Sequence, residues 1–264
     1  MPRQQRSIRR MSYDELPGVE AQAVVDVKPR MIAPWWHTAL VLLQLGALAL
    51  IGPRGAQSRA EMPHVVLYTV AVMSTWLQLG AVVAGIYRRR EFFFDTLQGR
   101  AGSVRRDVWV GIGLYFGLAL MFGIILTMAH RLGVHRGFDR GVLMAMAPNT
   151  WTELAMWLVV SVSVAFCEEH VFRGYLLQQV IAWGAELGAS PKFAAVFAVV
   201  TTSMLFGSLH LYEGVGGAVL ITCLGAVYAM AALWLGNLRA VMVAHVLQDF
   251  LAFVPIMARH HRGG

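Results

Sequence analysis

The sequence predicts an all-α fold, a polytopic transmembrane helical bundle of about seven spans. Composition is the first reason: of 264 residues, 57% are hydrophobic and 14% charged, against about 25% charged in an average globular chain. Mean hydropathy is +0.57. The second reason is the spacing of charge. Asp, Glu, Lys and Arg are missing from Val65–Tyr87, Val108–Ala129, Phe193–Leu209 and Gly214–Leu238, each close to the ~20 residues that cross a bilayer as a helix. Third, no ten-residue stretches alternate in the manner of an outer-membrane barrel.

The formal net charge of +7 is almost all arginine, Lys28 and Lys192 being the only lysines. These arginines cluster between apolar segments, where the positive-inside tendency of membrane loops accounts for them without nucleic acid as a partner. Cys167 and Cys223 both lie inside apolar segments and read as small buried residues rather than a disulfide.

Residues 1–34 form a polar N-terminal tail, with Arg3, Arg6, Arg9 and Arg10 followed by Asp14, Glu15, Glu20 and Asp26. No apolar core follows the early arginines at signal-peptide distance, so no cleaved leader is expected. The membrane domain spans 35–258. Its first span runs from Trp35 to Gly52 and its second, after the loop Pro53–Pro63, from His64 to Tyr87. Arg88–Asp107, with six arginines around Phe92, Phe93 and Phe94, reads as an interfacial segment on the cytoplasmic face. The third span is Val108–Ala129, followed by a loop from His130 to Asn149. The fourth helix starts at Thr150, spaced with Glu153 as a capping box, and continues to Trp183. The remaining spans are Pro191–Leu211, Gly216–Leu235 and Leu238–Ala258, separated by the breaker-rich turn Tyr212–Gly217 and by Gly236-Asn237. Residues 259–264 form a short tail. There is no internal repeat and no second soluble domain.

The fourth helix carries Cys167-Glu168-Glu169-His170-Val171-Phe172-Arg173 in an otherwise apolar stretch. An unpaired acid or arginine near the bilayer centre costs roughly 2.5–3.5 kcal/mol on insertion scales. Glu169 and Arg173 stand at i, i+4 and can pair, whereas Glu168 lies about 100° round the helix. One structural pair and one acid free for other work is the expected arrangement. Two further polar sites follow: His210 ends Phe206-Gly207-Ser208-Leu209-His210, and His245 and Asp249 share a face at i, i+4. A carboxylate beside a histidine can hold and deprotonate water, and a second histidine with a polar neighbour can stabilise an oxyanion. That set suffices for amide hydrolysis without a covalent nucleophile. There is no His-Glu-x-x-His, no Gly-x-Gly-Asp and no Gly-x-Ser-x-Gly. A metal site of Glu168, His210 and His245 stays open, because these ligand types suit zinc.

In this order on successive helices, Glu168-Glu169-x-x-x-Arg173, Phe206-x-x-x-His210 and His245-x-x-x-Asp249 resemble the CAAX-protease and bacteriocin-processing family, also called the Abi family. The resemblance covers Trp151 to Phe253, less than half the chain, and marks 151–253 as a catalytic core. It implies a glutamate-dependent intramembrane endopeptidase in which Glu168 and His210 activate water and Glu169 with Arg173 order the site. His245 and the residue at 249 then support the oxyanion, and Phe206 belongs to the site through its motif. Asp249 is within the family pattern. As an oxyanion donor it has to be protonated, and otherwise it orients His245. No cofactor and no metal are implied. The partners are the lipid bilayer and a membrane-associated protein or peptide substrate. The expected location is a bacterial inner membrane with a cytoplasmic N-terminus. A non-catalytic membrane binding protein, such as an immunity or scaffold factor, is the alternative from another class, and a proton-coupled transporter a third. Topology raises one difficulty: His210 lies about 28 Å along its helix from Pro191, so it meets Glu168 only if that helix is tilted or begins outside the membrane.

Overall fold

The computed structural model describes residues 29–55, 61–91, 93, 97–99, 102–131 and 140–260. In chain order the helices are α1 (Trp35–Ile51), α2 (His64–Arg88), α3 (Val104–Arg131), α4 (Arg140–Met146), α5 (Trp151–Glu169), α6 (Leu177–Glu186), α7 (Pro191–Ser208), α8 (Val215–Leu235) and α9 (Arg239–His260). A π-helical segment, His170–Leu176, joins α5 to α6. Among the described residues there is no strand, and a lone bridge pairs Gly99 with Asn237. Among the described residues seven helical stretches are long and apolar enough to cross a membrane: α1, α2, α3, the continuous 36-residue run Trp151–Glu186, α7, α8 and α9. The protein is an all-α integral membrane protein.

Local chemistry sets the ends of these helices. Thr150 Oγ1 accepts the Glu153 N–H at 3.1 Å, and Glu153 Oε2 reaches back to the Asn149 N–H at 2.8 Å, which satisfies donors the first turn leaves open. Ser190 caps α7 by accepting the Phe193 N–H at 3.3 Å, with Pro191 at the first helical position. Gly236 closes α8 in the left-handed region, at φ 67°.

In a bilayer, helices associate through close packing and shared hydrogen bonds, since lipid tails are as apolar as leucine. Many large apolar side chains are accordingly exposed, among them Leu43, Leu77, Trp109 and Leu120. The main pairings are α7 with α8, α3 with α9, α2 with α5, α6 with α7, and α5 with α9. At Gly207 a Cβ would run into the α8 backbone at Ala218 and the Thr222 hydroxyl, so glycine permits the close α7–α8 approach. A buried polar chain ties the N-terminal segment to the site helix. Gln179 Nε2 donates to Thr38 Oγ1 at 2.6 Å, Thr38 meets Tyr175 Oη at 2.8 Å, and Tyr175 Oη meets His37 Nδ1 at 2.9 Å. His37 Nε2 lies 2.9 Å from the Ala81 carbonyl. A carbonyl only accepts, so Nε2 carries the proton and Nδ1 accepts from the tyrosine.

The structure departs from the expectations in several places. The fourth helix is not one α-helix to Trp183. Seven residues from His170 form a π-segment in which the Leu177 N–H reaches Phe172 O, five residues back, before α6 carries on to Glu186. The fifth helix ends at Ser208, and His210 lies in the turn that leads into a 3₁₀ segment, Leu211–Glu213. The third span begins at Val104, taking in Arg105, Arg106 and Asp107, because a buried Asp107 meets Arg239 at 3.3 Å. The loop before the fourth helix contains α4. Cys167 is buried as expected, but Cys223 is exposed on α8, where an apolar outer surface requires no protein cover. The early tail residues Arg3 to Asp26, Phe92, Phe94, Arg100, Arg136 and positions 261–264 lie outside the described residues.

Candidate active site

The Glu168-Glu169 pair closes α5, one residue before the π-segment begins, a placement frequent at functional sites for this rare geometry. Glu169 is fully buried, Arg173 and His245 nearly so. A single oxygen, Glu169 Oε1, accepts from Arg173 Nη1 at 3.0 Å and from His245 Nδ1 at 2.7 Å. The expected i, i+4 pair is present, and it extends to α9. Arg173 also donates through Nη2 to the Gly225 carbonyl of α8 at 3.3 Å. Its guanidinium lies 4.4 Å from the Phe206 ring and 5.7 Å from the Tyr228 ring. One arginine thus ties the π-segment to α5, α7 and α8, with cation–π contacts strengthened by desolvation.

Phe206 has a physical place. Its ring lies under Arg173 and 4.9 Å from Phe172, with His210 at 5.1 Å and His245 at 6.2 Å. It separates the two histidines and fills the space beneath the charge pair.

Glu168 is left outside that pair. Its Oε2 is buried, has no hydrogen-bond partner among the described residues and lies 3.8 Å from His245 Nε2. Asp249 Oδ2 lies 3.5 Å from the same nitrogen. Because His245 Nδ1 donates to Glu169, Nε2 is the atom turned toward Glu168 and Asp249. The other ring nitrogen of His245 is held by Glu169, a contact that the motif spacing does not announce.

His210 enters from the end of α7. Its Nδ1 sits 3.0 Å from the Phe206 carbonyl, which can only accept, so the proton is on Nδ1 and the Nε2 lone pair is free. Asp249 is within electrostatic reach of His245, Glu168, His210 and Glu213. The same neighbourhood therefore holds all seven residues singled out from the sequence: Glu168, Glu169, Arg173, Phe206, His210, His245 and Asp249. The depth difficulty is met by length. The run Trp151–Glu186 has 36 residues, roughly 50 Å of helix against a hydrocarbon core of about 30 Å. A run of that length outreaches the core, and at the end of α7 His210 shares the neighbourhood of Asp249 with Glu168.

Several neighbours escape the motif reading. Among the described residues, Ser203 Oγ and Glu169 Oε2 are buried without a hydrogen-bond partner. The Tyr228 ring lies tilted, 5.9 Å from that of His245, and its hydroxyl donates to Gln248 Oε1 at 3.0 Å. Trp157 Nε1 donates to the Asp249 carbonyl at 2.9 Å and helps place that turn of α9. Glu213 follows His210 by three residues in the 3₁₀ segment. Helical spacing from Phe206 would have brought out Ser203, one turn earlier on the same face. Tyr228 and Glu213 carry no such signal. Among the described residues, no three His, Cys, Asp or Glu side chains are placed to hold a metal ion.

No curated protein and no solved structure matches the chain. Residues 150–251 match a family model described as type II CAAX prenyl endopeptidase Rce1-like. Across that segment, which carries all seven side chains, the chain matches the Rce1-like family of type II CAAX prenyl endopeptidases, the kind its motifs resemble.

Proposed function

We propose that the protein is an intramembrane endopeptidase that hydrolyses a peptide bond of a membrane-associated protein or peptide with a water activated by Glu168 and His210. One observation carries the reading: Glu169 is consumed by Arg173 and His245, while its neighbour Glu168 keeps a buried oxygen free beside His245. A staple between helices has no use for the second acid, and a buried carboxylate is costly unless it binds something.

In this mechanism Glu168 and the free Nε2 of His210 hold a water and take one of its protons. The water oxygen bonds to the scissile carbonyl carbon, whose oxygen becomes negative next to His245 Nε2, and a proton there makes it a donor to that oxygen. Collapse breaks the C–N bond, and the proton held at the site passes to the departing amine. The products are a carboxylate and an amine. Glu169, Arg173 and Phe206 keep the frame fixed, and Asp249 orients His245. Residues 151–253 form the catalytic core of the membrane domain 35–258. The N-terminal end of the bundle faces the cytoplasm of a bacterial cell: Arg88, Arg89, Arg90, Arg105, Arg106, Lys192 and Arg239 gather at that end in keeping with the positive-inside rule. A prenylated C-terminal tail, a bacteriocin leader and a membrane-anchored sorting tail all suit a site at this depth.

The test compares, by mass spectrometry, the peptides of membranes carrying the wild-type chain with those carrying Glu168→Gln. The expected result is a set of termini found with the wild type alone. Identical peptides from both would overturn the reading in favour of a binding protein.

A further inference from the structure

Glu213 is a carboxylate beside this site that the mechanism does not use. Its N–H donates to His210 O at 2.9 Å, so the tight turn that presents His210 also presents Glu213. The next residue, Gly214, takes φ 87° to lead into α8. The Glu213 side chain folds over the first turn of that helix: a Cβ at position 217 would stand 2.9 Å from Glu213 Cβ and 3.6 Å from its Oε2. Glycine at 217 thus leaves room for the half-buried carboxyl to lie inward, within electrostatic reach of His210 and Glu168 and of Asp249.

We propose that Glu213 is a positioning residue of this site, its carboxylate serving as counter-charge to the imidazolium that His210 becomes on taking a proton from the attacking water. The proposal rests on the water-activation reading above. The proton goes from water to His210 Nε2, and Glu213 takes none; ionised, it favours the charge that forms. The groups around it are few. His210 and Tyr212 share its turn, Glu168 faces it from α5 and Asp249 from α9. Arg54, on the 3₁₀ turn Gly52–Gly55 that packs against Leu211–Glu213, donates to Leu50 O at 3.2 Å. Burial holds the Glu213 carboxyl above the ordinary carboxylate range, against the pull of His210 and Tyr212, and the charge on Glu168 adds to the rise.

The sign of the pH dependence follows. Above its raised midpoint Glu213 is anionic and supports His210; below it the carboxyl is protonated and resembles the amide of Glu213→Gln. The kcat ratio of wild type to Glu213→Gln is therefore about tenfold above the midpoint, the equivalent of one pKa unit of interaction, and falls toward one below it. KM stays the same. Glu213→Asp restores part of the loss. The substrate for this assay is a fluorogenic peptide copying the cleavage site found in the comparison of wild-type and Glu168→Gln membranes. A second readout needs no substrate: the infrared band of protonated carboxyls, followed against pH, contains a group titrating above the ordinary range that Glu213→Gln lacks. A ratio that is constant with pH, or an infrared titration that is identical in both proteins, overturns the proposal while leaving the water-activation reading standing. If wild type and Glu168→Gln give identical membrane peptides, both fall together.

Discussion

Arg173→Ala removes the one cation that the buried Glu169 faces along its own helix. Breaking a buried charge pair from one side costs roughly 3–5 kcal/mol, because the other charge is left without compensation. Here Glu169 Oε1 keeps the His245 Nδ1–H at 2.7 Å, which places the effect at the lower end, about 3 kcal/mol. The lost donor to Gly225 O at 3.3 Å adds about 1 kcal/mol, the usual net worth of a hydrogen bond. The expected loss is thus about 3–4 kcal/mol, read as unfolding free energy of detergent-solubilised protein followed by tryptophan fluorescence. Arg173→Lys keeps the charge but cannot reach two partners at once, so it falls between wild type and alanine. Adding Glu169→Gln to Arg173→Ala removes the uncompensated charge and recovers part of the loss, a coupling that a double-mutant cycle measures. An Arg173→Ala protein within about 0.5 kcal/mol of wild type, or one made no better by Glu169→Gln, would refute the pair as the frame of the site.

Two further outcomes follow from the same geometry. His210→Asn abolishes cleavage with an unchanged melting temperature, since no described residue bonds the Nε2 of His210; a large fall in melting temperature would show that the ring is a packing element. Cleavage by the wild type persists in phenanthroline, because the described ligand types do not converge in threes; loss in chelator with rescue by zinc would replace the glutamate mechanism with a metal-dependent one.

Charge-free windows made the spans readable, because a bilayer tolerates so few unpaired charges that their absence over ~20 residues is itself a signal. The same hydropathy is silent on α4, whose seven residues are far too short to cross. It is equally silent on the π-segment, since shifting the backbone ladder by one residue leaves apolar content untouched. The start of α3 was misplaced because Arg105, Arg106 and Asp107 look like loop, yet a helix end can carry them where Asp107 finds Arg239 on α9. Within the site, helix periodicity separated Glu168 from the Glu169–Arg173 stripe, and the structure keeps that separation. It could not show that Glu169 is shared with His245, because a contact between residues 76 apart in sequence is a tertiary fact. Glu213 was hidden by its company: in Tyr212-Glu213-Gly214-Val215-Gly216-Gly217 the glycines mark a turn, and a turn glutamate reads as solvated until its burial is known.

Glu168 and Glu169 are adjacent and chemically identical, so substituting each by glutamine separates work from frame. Glu168→Gln and Glu169→Gln are purified side by side, and cleavage and unfolding free energy are measured on both. Glu168→Gln is expected to unfold like wild type and cleave nothing, while Glu169→Gln is destabilised by the loss of its charge-assisted bonds to Arg173 and His245. A Glu168→Gln protein that still cleaves, or that is as unstable as Glu169→Gln, would contradict that expectation.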